Sequence, residues 1–310
     1  MDQYRLSIII PHYNIPHLLN KLLDSIPQNE AIQVIVVDDS STENKEELAS
    51  VISEYQSGRI IFLQNTSGKN SPGICRNIGL SCASGEWVMF ADSDDYYVDG
   101  WFDVLSSHMD EDYEMVYFKM TSAFVNTGRP AQRHKVFAES VHRYCVEPTR
   151  ENELHLRYNW TSVCSCMYRL SFLKEYGLKF GETMRAEDTL FVVKCGYYSR
   201  KWLCLDENIY CVTVRDGSIT TLQNKELMNQ HIRTKIVKFG FLCTHLNDDD
   251  LRSLELEYAG LKIWREILAN RCSWSTAIEF QKLIKNERVP FIIWRLFSVK
   301  TLLHQLLKSI

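Results

Sequence analysis

Hydrophobic and polar positions along the first 120 residues predict strands that alternate with helices. Continuous apolar runs, which are typical of strands buried on both faces, occupy residues 7–11, 34–37, 60–63 and 86–91. Between the first two runs, Leu18, Leu22 and Ile26 recur at helical spacing, and we expect Pro11 to end the first strand. Such alternation predicts an α/β fold built on a mostly parallel sheet with helices on both faces.

The remainder of the chain has a less regular pattern. Further strands are predicted at 115–118 and 209–214, and the sequence is predominantly helical from Lys225 onward. The stretch from Thr121 to Arg157 shows weak periodicity and many charges, so we expect an irregular excursion there.

Polar residues follow three of the predicted strands at the point where each strand ends. Tyr13 follows the first strand, Asp39 the second, and Asp92, Asp94 and Asp95 the fourth. Because the carboxyl ends of parallel strands share one edge of a sheet, where ligands bind in open α/β folds, we expect a nucleotide site there. A divalent cation that grips a phosphate suits the acidic cluster, and a solvated Asp-rich turn is the alternative.

Two common ways of holding phosphates are absent from the sequence. There is no G-x-G-x-x-G after the first strand and no G-x-x-x-x-G-K-[ST]. These absences disfavour dinucleotide-dependent oxidoreductases and P-loop NTPases. We therefore expect a metal ion and side chains to hold the phosphates.

Charge and cysteine content narrow the class of protein further. The net charge of −4 and the isoelectric point near 6.2 argue against nucleic acid as a partner. Ten cysteines without a visible export signal predict free thiols in the cytoplasm. Every apolar run is shorter than the roughly 20 residues that cross a bilayer.

The C-terminal stretch is basic. Residues 282–310 contain six Lys or Arg and one acid, and apolar residues from Ile292 to Ile310 recur at helical steps. A basic amphipathic helix of this kind suits peripheral contact with an anionic membrane. Packing against the core or a second subunit is the alternative.

Four stretches in this order resemble glycosyltransferase family 2, the inverting enzymes of GT-A fold. They are Ser7–Asn14, Val36–Ser41, Phe90–Asp95 and Glu187–Asp188. The resemblance implies a Rossmann-like GT-A domain over 1–222, with a nucleotide-sugar half (1–120) and an acceptor half (121–222). Residues 223–310 would form a helical C-terminal extension.

The resemblance also implies roles for individual residues. The nucleotide sugar would be contacted by Pro11, Tyr13, Asp39, Arg76, Asp92, Ser93, Arg215 and Ser218. Asp94 would bind Mn²⁺ or Mg²⁺, which neutralises the departing diphosphate. Asp188 would be the catalytic base, and Glu187 would either support it or bind the acceptor. Trp160 would stack on the acceptor sugar, and packing in the core is the alternative.

The expected function is a metal-dependent, inverting transfer of one sugar from a UDP-sugar to a sugar acceptor. The chain lacks the Q-x-x-R-W motif of processive family members. By analogy the acceptor would be a lipid-diphosphate-linked sugar of a bacterial O-antigen, capsule or other surface glycan, met at the inner face of the membrane. The alternatives are a catalytically silent nucleotide-binding module on a membrane assembly and a nucleotidyltransferase that makes nucleotide sugars.

Overall fold

The computed structural model describes residues 4–55, 60–159, 162–215 and 224–291. The chain divides into two compact units, Met1–Leu222 and Gln223–Ile310. All ten cysteines are free thiols.

The first unit is built on one mixed sheet. In the described residues its strands are β1 (Leu6–His12), β2 (Ile32–Asp38), β3 (Ile60–Gln64), β4 (Trp87–Phe90), β5 (Tyr96–Tyr97), β6 (Met115–Phe124), β7 (Cys166–Arg169) and β8 (Trp202–Val214). They follow the order β3-β2-β1-β4-β7-β6-β8-β5. The first four in this order are parallel, β7 is antiparallel to β4 and β6, and β5 is antiparallel to β8. The mostly parallel α/β fold expected from the sequence is therefore confirmed, with an antiparallel insertion that the apolar runs did not indicate.

Three of the four parallel strands are buried on both faces, while β3 at the edge of the sheet buries only Ile60. Every residue of β1 and β4 is buried, and β2 is buried up to its last residue, Asp38. The prediction that Pro11 ends the first strand is wrong, because β1 continues to His12 and pairs Pro11 with Val37. Pro11 is tolerated there because it lies beyond Ile9, the last β1 residue paired with β4.

Helices join the strands of this unit. They are α1 (Pro16–Asp24), α2 (Lys45–Glu54), α3 (Pro72–Cys82), α4 (Trp101–Ser106), α5 (Lys135–Val146), α6 (Arg150–Asn159), α7 (Leu170–Glu175) and α8 (Thr189–Tyr198). The position of α3 depends on a glycine, since a Cβ on Gly79 would lie 2.4 Å from Ile9 Cγ2. The lack of a side chain at Gly79 thus lets α3 pack directly on β1.

The stretch from Thr121 to Arg157 is more regular than predicted. Strand β6 runs on to Phe124, and α5 and α6 follow it. The extra length of β6 comes from parallel pairing with β8, whose register shifts between Phe118 and Met120. Weak local periodicity hid this strand because its pairing partner lies some 90 residues away in the sequence.

The second unit is helical in its described part. Its helices are α9 (Lys225–His245), α10 (Asp248–Ser253), α11 (Ala259–Ala269) and α12 (Trp274–Asn286), with a short 3₁₀ helix at Leu256–Tyr258. The predicted amphipathic helix from Ile292 to Ile310 lies outside the described residues. No helix in the described ranges has both the length and the apolar character needed to cross a bilayer.

Candidate active site

The carboxyl ends of β1 and β2 form the first part of the candidate site. Pro11 is buried near the end of β1, whereas Tyr13, two residues later, is 46% exposed. Asn14 has a φ of +57°, and its Oδ1 accepts from the backbone N–H of Thr42 at 2.8 Å and of Glu43 at 3.0 Å. This residue fastens the turn after β1 to the loop after β2, so that Tyr13 projects at a fixed edge.

Asp39 is held firmly at the same edge. Its backbone N–H donates to the carbonyl of His12 at 2.8 Å, and its carboxylate accepts from Asn65 Nδ2 at 2.6 Å. Asn70 Nδ2 donates to the Asp39 carbonyl at 2.7 Å. The side chain is buried, so a ligand that reaches its remaining oxygen would find a preoriented acceptor.

The acidic loop after β4 is fastened to the far edge of the sheet. Asp95 is buried, and its Oδ1 accepts from the backbone N–H of Thr213 in β8 at 2.7 Å. Burial raises the pKa of Asp95 well above its ordinary value, and the neighbouring carboxylates of Asp94 and Asp92 raise it further. Ser93 is buried on the same loop. Asp95 therefore positions the loop, while Asp92 and Asp94 remain partly accessible.

The carboxylates of this loop suit a hard cation, but the cluster that they form with Cys164 does not. Single ligand atoms of Asp92, Asp95 and Cys164 lie within 4.8 Å of one another. Burial and the Asp92 carboxylate raise the pKa of the Cys164 thiol well above its ordinary value, so the thiol is protonated and is a poor ligand for Mn²⁺ or Mg²⁺. The carboxylate of Asp94 is a suitable oxygen ligand, and its Oδ2 already accepts from a cation, the Nε of Arg215, at 2.8 Å.

Arg76 connects the acidic loop to the residues before α8. Its side chain is 4% exposed, its Nη2 lies 2.5 Å from Asp92 Oδ1, and its Nη1 lies 2.6 Å from Glu187 Oε1. Burial alone would lower the pKa of Arg76, but these two carboxylates hold it above its ordinary value. One guanidinium thus joins the Asp92–Asp95 loop to the Glu187–Asp188 pair, which lie far apart in the sequence.

Asp188 occupies the N-cap position of α8 without capping it. Its side chain makes no capping hydrogen bond to the first turn, so the carboxylate is not committed to the helix end. Burial raises the pKa of Asp188 well above its ordinary value; Glu187 raises it further, and Arg76 opposes the rise. A carboxylate with a raised pKa is the stronger base, as proton abstraction from a hydroxyl requires.

Helix α3 also holds the loop that carries Asp188. Asn77 Oδ1 accepts from the backbone N–H of Phe180 at 2.9 Å, and its Nδ2 donates to the Phe180 carbonyl at 3.1 Å. Ser71 Oγ donates to the carbonyl of Thr183 at 2.8 Å. A Cβ on Gly73 would lie 1.9 Å from the carbonyl oxygen of Gly181, so only glycine allows this close approach.

Most of the residues singled out in the sequence meet at this edge, and two lie outside the described part of the chain. The described ones are Pro11, Tyr13, Asp39, Arg76, Asp92, Ser93, Asp94, Glu187, Asp188 and Arg215. Trp160 and Ser218 fall among the residues that are not described. Sequence reasoning missed Asn65, although its position directly after β3 places it at the same edge by the argument used for Asp39. The sequence indicates Cys164, one of a C-x-C pair with Cys166, as a buried thiol but does not place it beside the acidic loop.

This geometry can be set beside known proteins. The family Glycosyl transferase family 2 matches residues 7–177, more than half of the chain. The chain belongs to glycosyl transferase family 2. The family resemblance expected from the sequence is thereby confirmed, and membership supports a glycosyltransferase as the enzyme class.

The curated relatives include several bacterial glycosyltransferases. The poly(ribitol-phosphate) β-N-acetylglucosaminyltransferase TarS of Staphylococcus aureus is 28% identical over 219 residues, which are 69% of this chain and 36% of TarS. A GalNAc(5)-diNAcBac-PP-undecaprenol β-1,3-glucosyltransferase of Campylobacter jejuni is 34% identical over 117 residues, 36% of this chain and 37% of that protein. This chain therefore spans only about a third of the length of these relatives.

Solved structures support the fold. TarS residues 1–349 in complex with UDP-GlcNAc superpose with a TM-score of 0.62 at 23% identity, covering 91% of this chain and 79% of that chain. The mannosyltransferase PcManGT of Pyrobaculum calidifontis, in complex with GDP-Man and Mn²⁺, gives a TM-score of 0.59 at 14% identity, covering 93% of this chain and 85% of that one. At these identities the likeness shows the GT-A-like fold.

Proposed function

We propose that this family 2 member transfers one sugar from a UDP-sugar to a sugar hydroxyl, with inversion at the anomeric carbon. The observation that carries the proposal is the buried guanidinium of Arg76, which bonds Asp92 on one side and Glu187 on the other. It brings the acidic donor loop and the candidate base, Asp188, to the same end of the sheet. Family membership and the likeness to a UDP-GlcNAc complex of TarS support the choice of donor.

The reaction follows from the charges at this edge. Asp188 accepts the proton of the acceptor hydroxyl while the hydroxyl oxygen forms a bond to the anomeric carbon. The bond from that carbon to the diphosphate oxygen breaks, and its electron pair leaves with UDP. Attack from the side opposite UDP inverts the anomeric centre in a single displacement. Tyr13 and Asp39 would hold the base and ribose, so that the anomeric carbon is presented at a fixed distance from Asp188.

Asp94 is the residue that we expect to hold Mn²⁺ or Mg²⁺. The bound cation would neutralise negative charge on the leaving diphosphate. Arg215, which bonds Asp94 at 2.8 Å, would supply a second positive charge at the same place. Arg76 fixes Asp92 and thereby the loop on which Asp94 lies.

The acceptor that we propose is a lipid-diphosphate-linked or polyol-phosphate glycan of a bacterial surface polymer. The named substrates of the Campylobacter and Staphylococcus relatives support this class. The basic sequence of 292–310 would then contact the anionic inner face of the membrane on which such an acceptor is carried.

A ligand screen followed by product analysis tests the proposal. Thermal-shift measurements with UDP-sugars and GDP-sugars, each with and without Mn²⁺, should give the largest stabilisation for one UDP-sugar in the presence of Mn²⁺. The coupling constant of the anomeric proton in the product should report inversion. A retained configuration would contradict single displacement. UDP binding without transfer to any glycan acceptor would favour a catalytically silent module.

A further inference from the structure

The second unit exposes large apolar side chains around the connection between α11 and α12. Trp274, the first residue of α12, is 85% exposed, Ile278 is 55% exposed, and Leu268 near the end of α11 is 69% exposed. Tryptophan seldom gives so much of its surface to water, because burying its ring is strongly favourable. A cluster of this kind on a folded domain indicates a contact surface.

These side chains lie on the outward face of their helices. In α12 the buried residues are Ala277, Phe280 and Ile284, whereas Trp274 and Ile278 are four residues apart on the side that these three do not occupy. Trp264 Nε1 donates to Gln281 Oε1 at 2.8 Å, so the face of α11 one turn before Leu268 borders the same face of α12. The exposed apolar residues thus form one surface, which we name the α11–α12 face.

The charges around the α11–α12 face have one sign. Arg271, Lys282 and Lys285 are exposed and form no ion pair within the ranges that the structure describes. The acids of the two helices point elsewhere, since Glu279 pairs with Arg233 of α9 at 3.3 Å and Glu266 pairs with Lys235 of the same helix. Both acids are therefore paired with cations of α9, whereas the charges of Arg271, Lys282 and Lys285 are not offset by a paired acid in the described ranges.

We propose that the α11–α12 face docks on an anionic lipid bilayer. A tryptophan ring beside aliphatic side chains, edged by Lys and Arg, matches the boundary between acyl chains and negatively charged headgroups. A second copy of the chain is the poorer partner, because a two-fold contact would bring the positive charges around the face of one copy close to those of the other. The proposal concerns folded helices of the second unit, goes beyond the transfer reaction, and does not depend on residues 292–310.

Vesicle sedimentation with the full chain tests the proposal. The vesicles contain either phosphatidylcholine alone or phosphatidylcholine with 30% phosphatidylglycerol. Lys282→Gln with Lys285→Gln should weaken partitioning into the anionic vesicles about 25-fold, about fivefold per charge. Trp274→Ser with Ile278→Ser should weaken partitioning into the anionic vesicles at least as much as the two lysine changes, and any binding that remains is assigned to residues 292–310. The exposed positions make both variants compatible with folding, which far-UV circular dichroism checks.

Helix α5 offers matched controls in the first unit. Val136 and Val146 are 68% and 70% exposed, and Lys135 and Arg143 are exposed beside them. The change Lys135→Gln with Arg143→Gln removes the same charge as the lysine variant, and Val136→Ser with Val146→Ser removes exposed apolar surface, although less than the α12 variant does. Both controls should leave partitioning unchanged.

Three results would overturn the proposal. Wild-type partitioning by both α12 variants would assign membrane contact to another segment. An equal loss of partitioning in the α5 controls would show only a general effect of charge or hydrophobicity. A wild-type oligomer that Trp274→Ser with Ile278→Ser dissociates, measured by sedimentation velocity without lipid, would assign the face to a second copy. None of these readouts depends on transfer activity.

Discussion

Replacing Arg76 with methionine tests the buried ion pairs that unite the candidate site. Methionine fills most of the volume of the arginine stem but removes the guanidinium that bonds Glu187 and Asp92. Asp92 is 41% exposed at its side chain and can be rehydrated, whereas Glu187 is only 10% exposed. The main cost of the substitution is therefore an uncompensated charge on Glu187.

Removing one partner of a buried pair costs about 3–5 kcal/mol, and we expect a loss of that size in the free energy of unfolding at pH 7. Urea unfolding measures it. The double variant Arg76→Met with Glu187→Gln should recover at least half of the loss, because no buried charge then remains unpaired. Arg5→Met is the control, since Arg5 pairs with Asp110 at the same 2.6 Å but in an exposed position, and it should cost below about 1 kcal/mol.

The loss at Arg76 should also depend on pH. Burial already raises the pKa of Glu187, and Arg76 is the group that opposes the rise. Without Arg76 the folded-state pKa of Glu187 moves further above the unfolded value, so the folded state binds a proton more readily. The difference from wild type should therefore shrink as pH falls towards the ordinary glutamate range. A loss below about 1 kcal/mol, or one that the double variant does not reduce, would refute this account of the site.

Three further predictions concern the base and its loop. In a plot of transfer rate against pH, the acidic limb should lie above the ordinary aspartate range, because the pKa of Asp188 is raised. Glu187→Gln should move this limb to lower pH, because it removes a neighbouring negative charge. An unmoved limb would contradict the coupling of the two carboxylates. Asn77→Ala should lower kcat by more than it raises the KM for the donor, because it releases Phe180 and the loop before Asp188. An unchanged kcat would exclude this positioning role. Gly73→Ala should lower the free energy of unfolding by about 1–3 kcal/mol, measured with urea, because the new Cβ would meet the Gly181 carbonyl. Wild-type stability would contradict that close contact.

The sequence predicted the parallel half of the sheet because its strands are continuous apolar runs, and β1, β2 and β4 are buried on both faces. Once β1, β2 and β4 are parallel neighbours, the edge shared by Asp39 and Asp92 follows from topology. The length of β6 could not be predicted, since its pairing with β8 depends on residues distant in the sequence.

The details of the site were less predictable than its location. The bond between Arg76 and Glu187 joins residues 111 positions apart, and no spacing rule indicates it. Cys164 lies close to Asp92 and Asp95 because it precedes β7, which pairs antiparallel with β4. The acidic motif alone does not reveal that a thiol lies beside it. The accommodation of Pro11 within β1 likewise depends on where β4 stops pairing, which local sequence does not reveal.

The most direct test of the central claim compares donor binding and sugar transfer in Asp188→Asn. Asparagine keeps the size of the side chain and removes its ability to accept a proton, so transfer should fall about 10²- to 10⁴-fold. UDP-sugar affinity, measured by calorimetry with Mn²⁺, should stay within about twofold of wild type, since we assign no donor contact to Asp188. Wild-type transfer, or a loss of affinity as large as the loss of transfer, would contradict the role of Asp188 as the base.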